Sequence, residues 1–257
     1  MNGIFYIGAT GLDAQQTAVD IVANNVTNMN TNAYKRATVS FSELLVPPTQ
    51  GVASGGVDGG ATLAGVNASM GLRNFAASEL HPTGNPMDIA VRGDGFIPLA
   101  RSAEGHATLW RGGTLHVGAD GYLSAPDGTP LDAMISVPRD ATTITIQKDG
   151  EVLAEVPGQT GALSIGQIEL VTVGDPAQLV AAGNGTYTLD ESTTTLSTGR
   201  PGEDNAGALA QGFGEASNVQ LSDELVNLMV YQRAYAANAR LVQIGDELMS
   251  IANGLKR

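Results

Sequence analysis

From Ile4 to Asn25, apolar or small residues recur at steps of three and four: Ile4, Ile7, Gly11, Ala14, Ala18, Ile21 and Val22. That is the period of one helical face, and Gln15, Gln16 and Asp20 supply the polar side. The pattern predicts an amphipathic N-terminal helix whose buried stripe is small enough for a partner helix to approach closely. At the other end, Val230, Ala234, Ala237, Leu241, Ile244, Leu248, Ile251 and Leu255 alternate in the spacing of a coiled-coil seam. A second stripe, Leu221, Leu225, Leu228, Tyr235, Ala239 and Val242, runs beside it, so this helix can bury two faces. Ser217 with Gln220 fits a capping box, and a helix from Asn218 to Asn253 would be about 54 Å long at about 1.5 Å per residue. Such a helix needs a long partner.

Between the ends the period changes. Short β-rich runs broken by glycine fill residues 71–205. The clearest is ITIQ-KDG-EVLAEV (144–156), two alternating runs around Asp149-Gly150, a pair suited to a tight hairpin turn. MDIAV, QIELVTV and GTYTL read as further strands. The segment 46–69, VPPTQGVASGGVDGGATLAGVNAS, has little periodicity and reads as a flexible linker. The expected organisation is an α+β fold: long N- and C-terminal helices packed as a coiled-coil-like core with an inserted all-β domain. Its parts are an N-terminal helix at 1–30, an extended connecting segment at 31–70, a β-rich middle domain at 71–215 and a C-terminal helix at 216–257.

Composition narrows the function. The 257 residues hold 13 basic against 26 acidic side chains, a net charge of −13, which argues against a polyanionic nucleic acid as partner. The absence of cysteine removes disulfides, thiolate metal sites and thiol catalysis. No apolar run approaches the roughly 18 residues of a membrane helix. The N-terminus carries Asp13 and Asp20, lacks a basic start and makes a poor secretory signal, so a chain that leaves the cytoplasm is expected to do so by an unusual route.

Candidate chemistry is sparse. His81, His106 and His116 share no ligand spacing and read as ordinary surface or loop residues. No G-x-S-x-G elbow is present. GDG at 93–95 and GNG at 183–185 are lone glycine pairs better read as turns than as phosphate cradles. Arg92-Gly93-Asp94 spells a tripeptide used by adhesive proteins, but between two strands it reads first as a turn. The expectation is no enzyme, no cofactor and no metal. What stands out instead is packing: a two-helix unit would expose the second stripe of the C-terminal helix, and another copy of the chain would cover it. A head-to-tail contact that does not close gives an open helical filament. The tails are expected to fray in the single chain and to order on assembly.

Three ordered stretches carry a family resemblance. TGLDAQQTAVDIVANNVTNMNTNAYKR near the start, TGNPMDIAVRGDGF in the middle and SNVQLSDELVNLMVYQRAYAANARLVQIGDELM at the end resemble the axial proteins of the bacterial flagellum, the rod and hook family. Within it the likeness is greatest to the distal-rod branch, with a proximal-rod branch of similar length as the alternative and a secreted β-rich adhesin as a remote one. The resemblance implies a self-assembling structural subunit of a torque-transmitting tube around the export channel. Its partners would be identical copies, the proximal rod proteins, the hook protein and the surrounding P and L ring proteins, without membrane insertion. It also implies residence in the periplasm-spanning basal body and export by the flagellar type III apparatus. The extra segment at 46–69 would stiffen the rod. The inter-subunit and helix-packing residues expected from the two helical patterns are Ile7, Ala14, Ala18, Ile21, Leu221, Leu225, Leu228, Ala234, Tyr235, Leu241, Ile244, Leu248 and Ile251. Five asparagines crowd residues 24–34 where the chain would leave the tube. Asn24, Asn25 and Asn28 are expected to satisfy backbone groups there, helped by asparagine's tolerance of left-handed backbone, and to bond laterally to the next subunit.

Overall fold

The computed structural model describes residues 2–46, 62–101, 106–158, 161–189, 194–203 and 206–254. The chain divides into two compact units. The helical unit takes Met1–Met29, Arg36–Asn74 and Val219–Arg257, and the β unit takes Asn30–Lys35 and Phe75–Asn218.

In the helical unit α1 (Asn2–Thr27) is followed by β1 (Ala37–Val46) and β2 (Thr62–Arg73), and the chain ends in α2 (Leu221–Gly254). Both helices are continuous, and they run antiparallel: Gly8 faces Val242, Gly11 faces Asn238, and Asn25 meets Glu224. The small stripe of α1 explains the closeness. A Cβ on Gly8 would lie 2.5 Å from Val242 Cγ2, and one on Gly11 would lie 2.8 Å from Asn238 Nδ2. Ala14, Ala18, Ile21 and Val22 complete the buried face of α1. α2 begins after Gln220, whose carbonyl accepts from the Asp223 and Glu224 N–H groups, so the helix starts later than the Ser217 box suggested.

The span 31–70, read as a connecting segment, is divided. Strands β1 and β2 form an antiparallel pair with Ala37 opposite Arg73 and Phe41 opposite Ala68. The flexible linker reading therefore fails for residues 62–69, which are strand, while 47–61 lie outside the described residues. Gly65 serves this pairing: its φ is +112°, and Thr10 of α1 lies where a side chain would project.

Among its described residues the β unit has sixteen short strands. In chain order they are β3 (Leu80–Pro82), β4 (Asp88–Arg92), β5 (Ile97–Leu99), β6 (Ala107–Trp110), β7 (Gly112–Thr114), β8 (His116–Val117), β9 (Leu123–Ser124) and β10 (Thr143–Ile146). Then come β11 (Glu151–Glu155), β12 (Leu163–Gln167), β13 (Leu170–Val173), β14 (Val180–Gly183), β15 (Thr186–Leu189), β16 (Leu196–Gly199), β17 (Ala208–Gln211) and β18 (Phe213–Glu215). Its larger sheets have the orders β14-β15-β6-β5, β17-β4-β7 and β10-β11-β12. The hairpin at 144–156 is present as β10–β11, but its turn is longer than a two-residue Asp-Gly loop. Gly150 donates to the Gln147 carbonyl, Gln147 donates to Glu151, and Gly150 alone takes positive φ. QIELVTV is cut in two, because Ile168 turns its N–H to Gly150 between β12 and β13.

Two apolar clusters fill this unit. Ile89, Val91, Ile97, Trp110, Leu123 and Leu170 belong to the larger. In the smaller, Phe96 and Tyr187 meet Phe75 edge-on, with ring centroids 5.2–5.7 Å apart. Such aromatic pairs favour tilted contacts because the ring face is negative and its edge positive.

Candidate assembly surface

The end of α1 answers the question of the asparagines. Asn25 is buried and its amide behaves as a strand residue would: Oδ1 accepts the Ala37 N–H at 3.0 Å, and Nδ2 donates to the Ala37 carbonyl at 2.9 Å. The same Nδ2 reaches Glu224 Oε2 at 3.3 Å, and Arg36 Nε pairs with Glu224 Oε1. Glu224, fully buried in the first turn of α2, thus joins the end of α1 to the starts of β1 and α2, where the helix dipole also favours a negative charge. Tyr231 packs on Phe41, with centroids 6.1 Å apart. Its phenol pKa is pushed up by burial and by the Glu224 charge, against Arg36.

Asn28 caps α1. Its Nδ2 donates to the Asn24 carbonyl at 2.9 Å, and its N–H is shared between the Asn24 and Asn25 carbonyls. Asn24 is exposed. The left-handed residue in this passage is not an asparagine but Ala33, with φ +57°, whose buried N–H donates to the Glu215 carbonyl.

A corresponding clasp lies inside the β unit. Glu215 Oε1 accepts from Lys35 Nζ at 2.6 Å and from the Ser78 N–H at 3.1 Å, while Oε2 accepts from Arg111 Nε at 3.0 Å. Lys35 also donates to the Ala76 carbonyl, and Arg111 donates to the carbonyls of Gly93 and Gly95 and lies over the Phe96 ring. Burial works against the Glu215 carboxylate, but the Arg111 and Lys35 charges together prevail and hold its carboxyl below the ordinary range. For Lys35 the balance is reversed. Burial pulls its pKa down more strongly than Glu215 raises it, because this ammonium has one carboxylate where Glu215 has two cations.

The stripe expected to be a coiled-coil seam does not form the intramolecular contact. Val230, Leu241, Ile244, Leu248 and Ile251 are 44–60% exposed, and Leu255 lies outside the described residues. Only Ala234 of that stripe is partly buried. The inward face is displaced around the helix: Leu228, Tyr231, Asn238, Val242 and Met249 are partly buried, Gly245 is fully so, and Tyr231 meets Phe41 of β1. In the second stripe Leu228, Ala239 and Val242 face inward, whereas Leu221, Leu225 and Tyr235 are exposed. On α1, Ala14, Ala18 and Ile21 are buried, Ile7 is exposed, and the side chain of Ile4 lies outside the described residues. The physical reason is the size of α1's residues. A backbone-close approach selects narrow partners such as Asn238 and Gly245, which a search for large apolar residues passes over.

Glu224, Arg36, Asn238 and the Lys35–Glu215–Arg111 clasp were not legible as functional residues. A usable signal was that Lys35 and Arg36 are the only charged residues between Asp20 and Glu43. His81, His106 and His116 are all exposed, and no group of metal-ligating side chains occurs among the described residues. The Arg92-Gly93-Asp94 backbone is pinned, Gly93 by Arg111 and the Asp94 carbonyl by the Gly207 N–H. No helix among the described residues is long and apolar enough to cross a membrane.

Three stretches of the chain match known protein families. Residues 5–35 match the family described as flagella basal body rod protein, 90–154 the flagellar hook protein FlgE/F/G D1 domain, and 210–255 the flagellar basal body rod FlgEFG protein C-terminal. The chain is 32% identical to the flagellar basal-body rod protein FlgG of Agrobacterium fabrum, over 96% of this chain and 97% of that one. It is 33% identical to FlgG of Bacillus subtilis over 98% of both chains, and 29% identical to the rod protein FlgF of Caulobacter vibrioides over 96% and 95%. The surface that α2 leaves uncovered is therefore the surface of a known kind of structural chain: this protein belongs to the flagellar basal-body rod protein family.

Proposed function

We propose that the chain is a structural subunit of the distal rod, assembling in many copies into a straight tube that transmits torque to the hook and surrounds the export channel. The observation that supports this reading best is the stripe of Val230, Leu241, Ile244, Leu248 and Ile251, large apolar side chains left exposed along a helix already paired on another face. In water such a stripe favours association, at about 25 cal/mol for each Å² of apolar surface covered. The coiled-coil-like core is then formed between copies rather than within one. Asn24, exposed beside the Asn28 cap and accepting from Asn28 Nδ2, is proposed to bond laterally in the assembly.

Proximal rod and hook proteins are the axial neighbours and the P and L ring proteins the surrounding ones. Export proceeds through the flagellar type III apparatus into the periplasm-spanning basal body. Near-full-length similarity to a chain named FlgF also favours a proximal-rod position as the second reading.

The test is electron microscopy of the purified full chain at rising concentration, beside the Leu241→Ser/Leu248→Ser variant. Tubes from the parent chain and none from the variant are expected. A parent chain that stays monomeric at every concentration, with its helices fully formed, would contradict the reading.

A further inference from the structure

The β unit holds 18 acidic and 7 basic residues, yet one of its grooves carries the opposite sign. This groove, about 910 Å³, is walled by Leu80, Val91, Ile146, Leu209 and Phe213, and among the described residues the charged side chains on its lining are Arg92 and Lys148. Both are exposed, and among the described residues neither forms an ion pair within the chain. The floor is rigid. The Gln211 amide bridges to the edge of β10, accepting from the Ile146 N–H at 2.8 Å and donating to the Ile144 carbonyl at 2.8 Å. Leu209 donates to the Lys148 carbonyl. Arg92 and Gly93, the first two residues of the adhesive-like tripeptide, open onto this groove.

A second feature of the same unit has the complementary character. Met134 takes φ +46°, a left-handed conformation that favours glycine or asparagine, and its side chain is 56% exposed. The turn is closed by its N–H donating to the Leu131 carbonyl at 3.0 Å, and Asp132 beside it is exposed. A non-glycine residue held in this region is strained, and here the result is a flexible apolar side chain exposed to water next to a carboxylate. None of the groove's lining residues belongs to this loop.

We propose that the cationic groove of one copy receives the Met134 loop of a second copy, with Met134 against the apolar wall and Asp132 toward Arg92 and Lys148. The contact is head-to-tail, so each β unit gives a loop and takes one, as an open assembly requires. This rests on the self-assembling reading above and assigns the contact between β units.

The natural chain has no cysteine, so engineered thiols report without background. Chains carrying Met134→Cys would be mixed with chains carrying Phe213→Cys or Ala210→Cys, assembled and oxidised. A disulfide requires the two Cα atoms to come within about 7 Å. Expected is a disulfide-linked dimer of the mixed chains that exceeds the level obtained when Val180→Cys replaces Met134→Cys. In parallel, Arg92→Glu/Lys148→Glu should raise the concentration needed for assembly by about tenfold or more, with part of the loss regained on adding Asp132→Lys. Tubes that form normally with neither the cross-link nor a response to the charge reversal would overturn the groove contact and leave the assembly reading standing. Absence of tubes from the unmodified chain would overturn both.

Discussion

The two units solve the same problem with opposite means. The β unit closes its core on itself: Ile89, Ile97, Trp110, Leu123 and Leu170 are all but inaccessible to water. The helical unit does not. Of α2's 34 residues only Glu224 and Gly245 are buried among those described, and fifteen of the twenty large apolar side chains exposed in the structure lie in this unit. Charge divides the same way, with a net −11 on the β unit and −2 on the helical unit. A surface meant to stay in water is acidic and well patterned, whereas one meant to be covered carries little charge and much hydrocarbon. The comparison teaches that the residues closing the core of one unit and those left exposed on the other are different sets, and the proposed assembly draws on the second.

The difference can be broken from either side. The largest effect is expected from Glu215→Gln, which leaves Lys35 and Arg111 buried without their counter-charge and should destabilise the β unit by about 3–5 kcal/mol. Trp110 is the only tryptophan and is buried in that unit, so its fluorescence during urea unfolding reads the loss. Next is Ala18→Leu, which overfills the buried face of α1. A loss of about 1–3 kcal/mol should appear in far-ultraviolet circular dichroism while the Trp110 transition is unmoved.

Asn25→Ala removes both bonds to Ala37 and should cost about 1–3 kcal/mol, again in the helical transition only. Normal assembly by this variant would also remove Asn25 from any lateral contact. Acid sharpens the contrast. Because Glu215's folded pKa lies below its ordinary 4.5, its contribution is complete above that value and is lost as pH falls through the lowered one. The acid-induced drop in Trp110 transition temperature should therefore be smaller in Glu215→Gln. The smallest effect on the single chain, under about 0.5 kcal/mol, belongs to Leu241→Ser/Leu248→Ser, since those side chains are already half in water. Its urea midpoint should barely move although its assembly is abolished.

Much of this architecture was legible from periodicity. The two terminal helices, the β-rich middle and the hairpin at 144–156 follow from apolar spacing and turn residues, which are local signals. The register of α2 was not legible, because large apolar residues mark every face that will be covered without saying by whom. Within one chain the covering partner is α1, whose Gly8 and Gly11 admit Asn238 and Val242. The clasps at Glu215 and Glu224 were hidden for a different reason: their partners lie 180 and 188 residues away, at Lys35 and Arg36. A charge in sequence carries no mark of burial. The asparagines were placed correctly at the end of α1, yet Asn25's strand-like pairing with Ala37 required β1 to be known.

The central claim is that α2 is only half covered in one chain and is completed by its neighbours. Amide hydrogen exchange along residues 230–251, in dilute chain and in assembled tubes, tests it most directly. The account predicts fast exchange in the dilute chain and strong protection in tubes, with the amides of Ile89 and Trp110 equally protected in both. Equal protection of 230–251 in the dilute chain and in the tubes would contradict it.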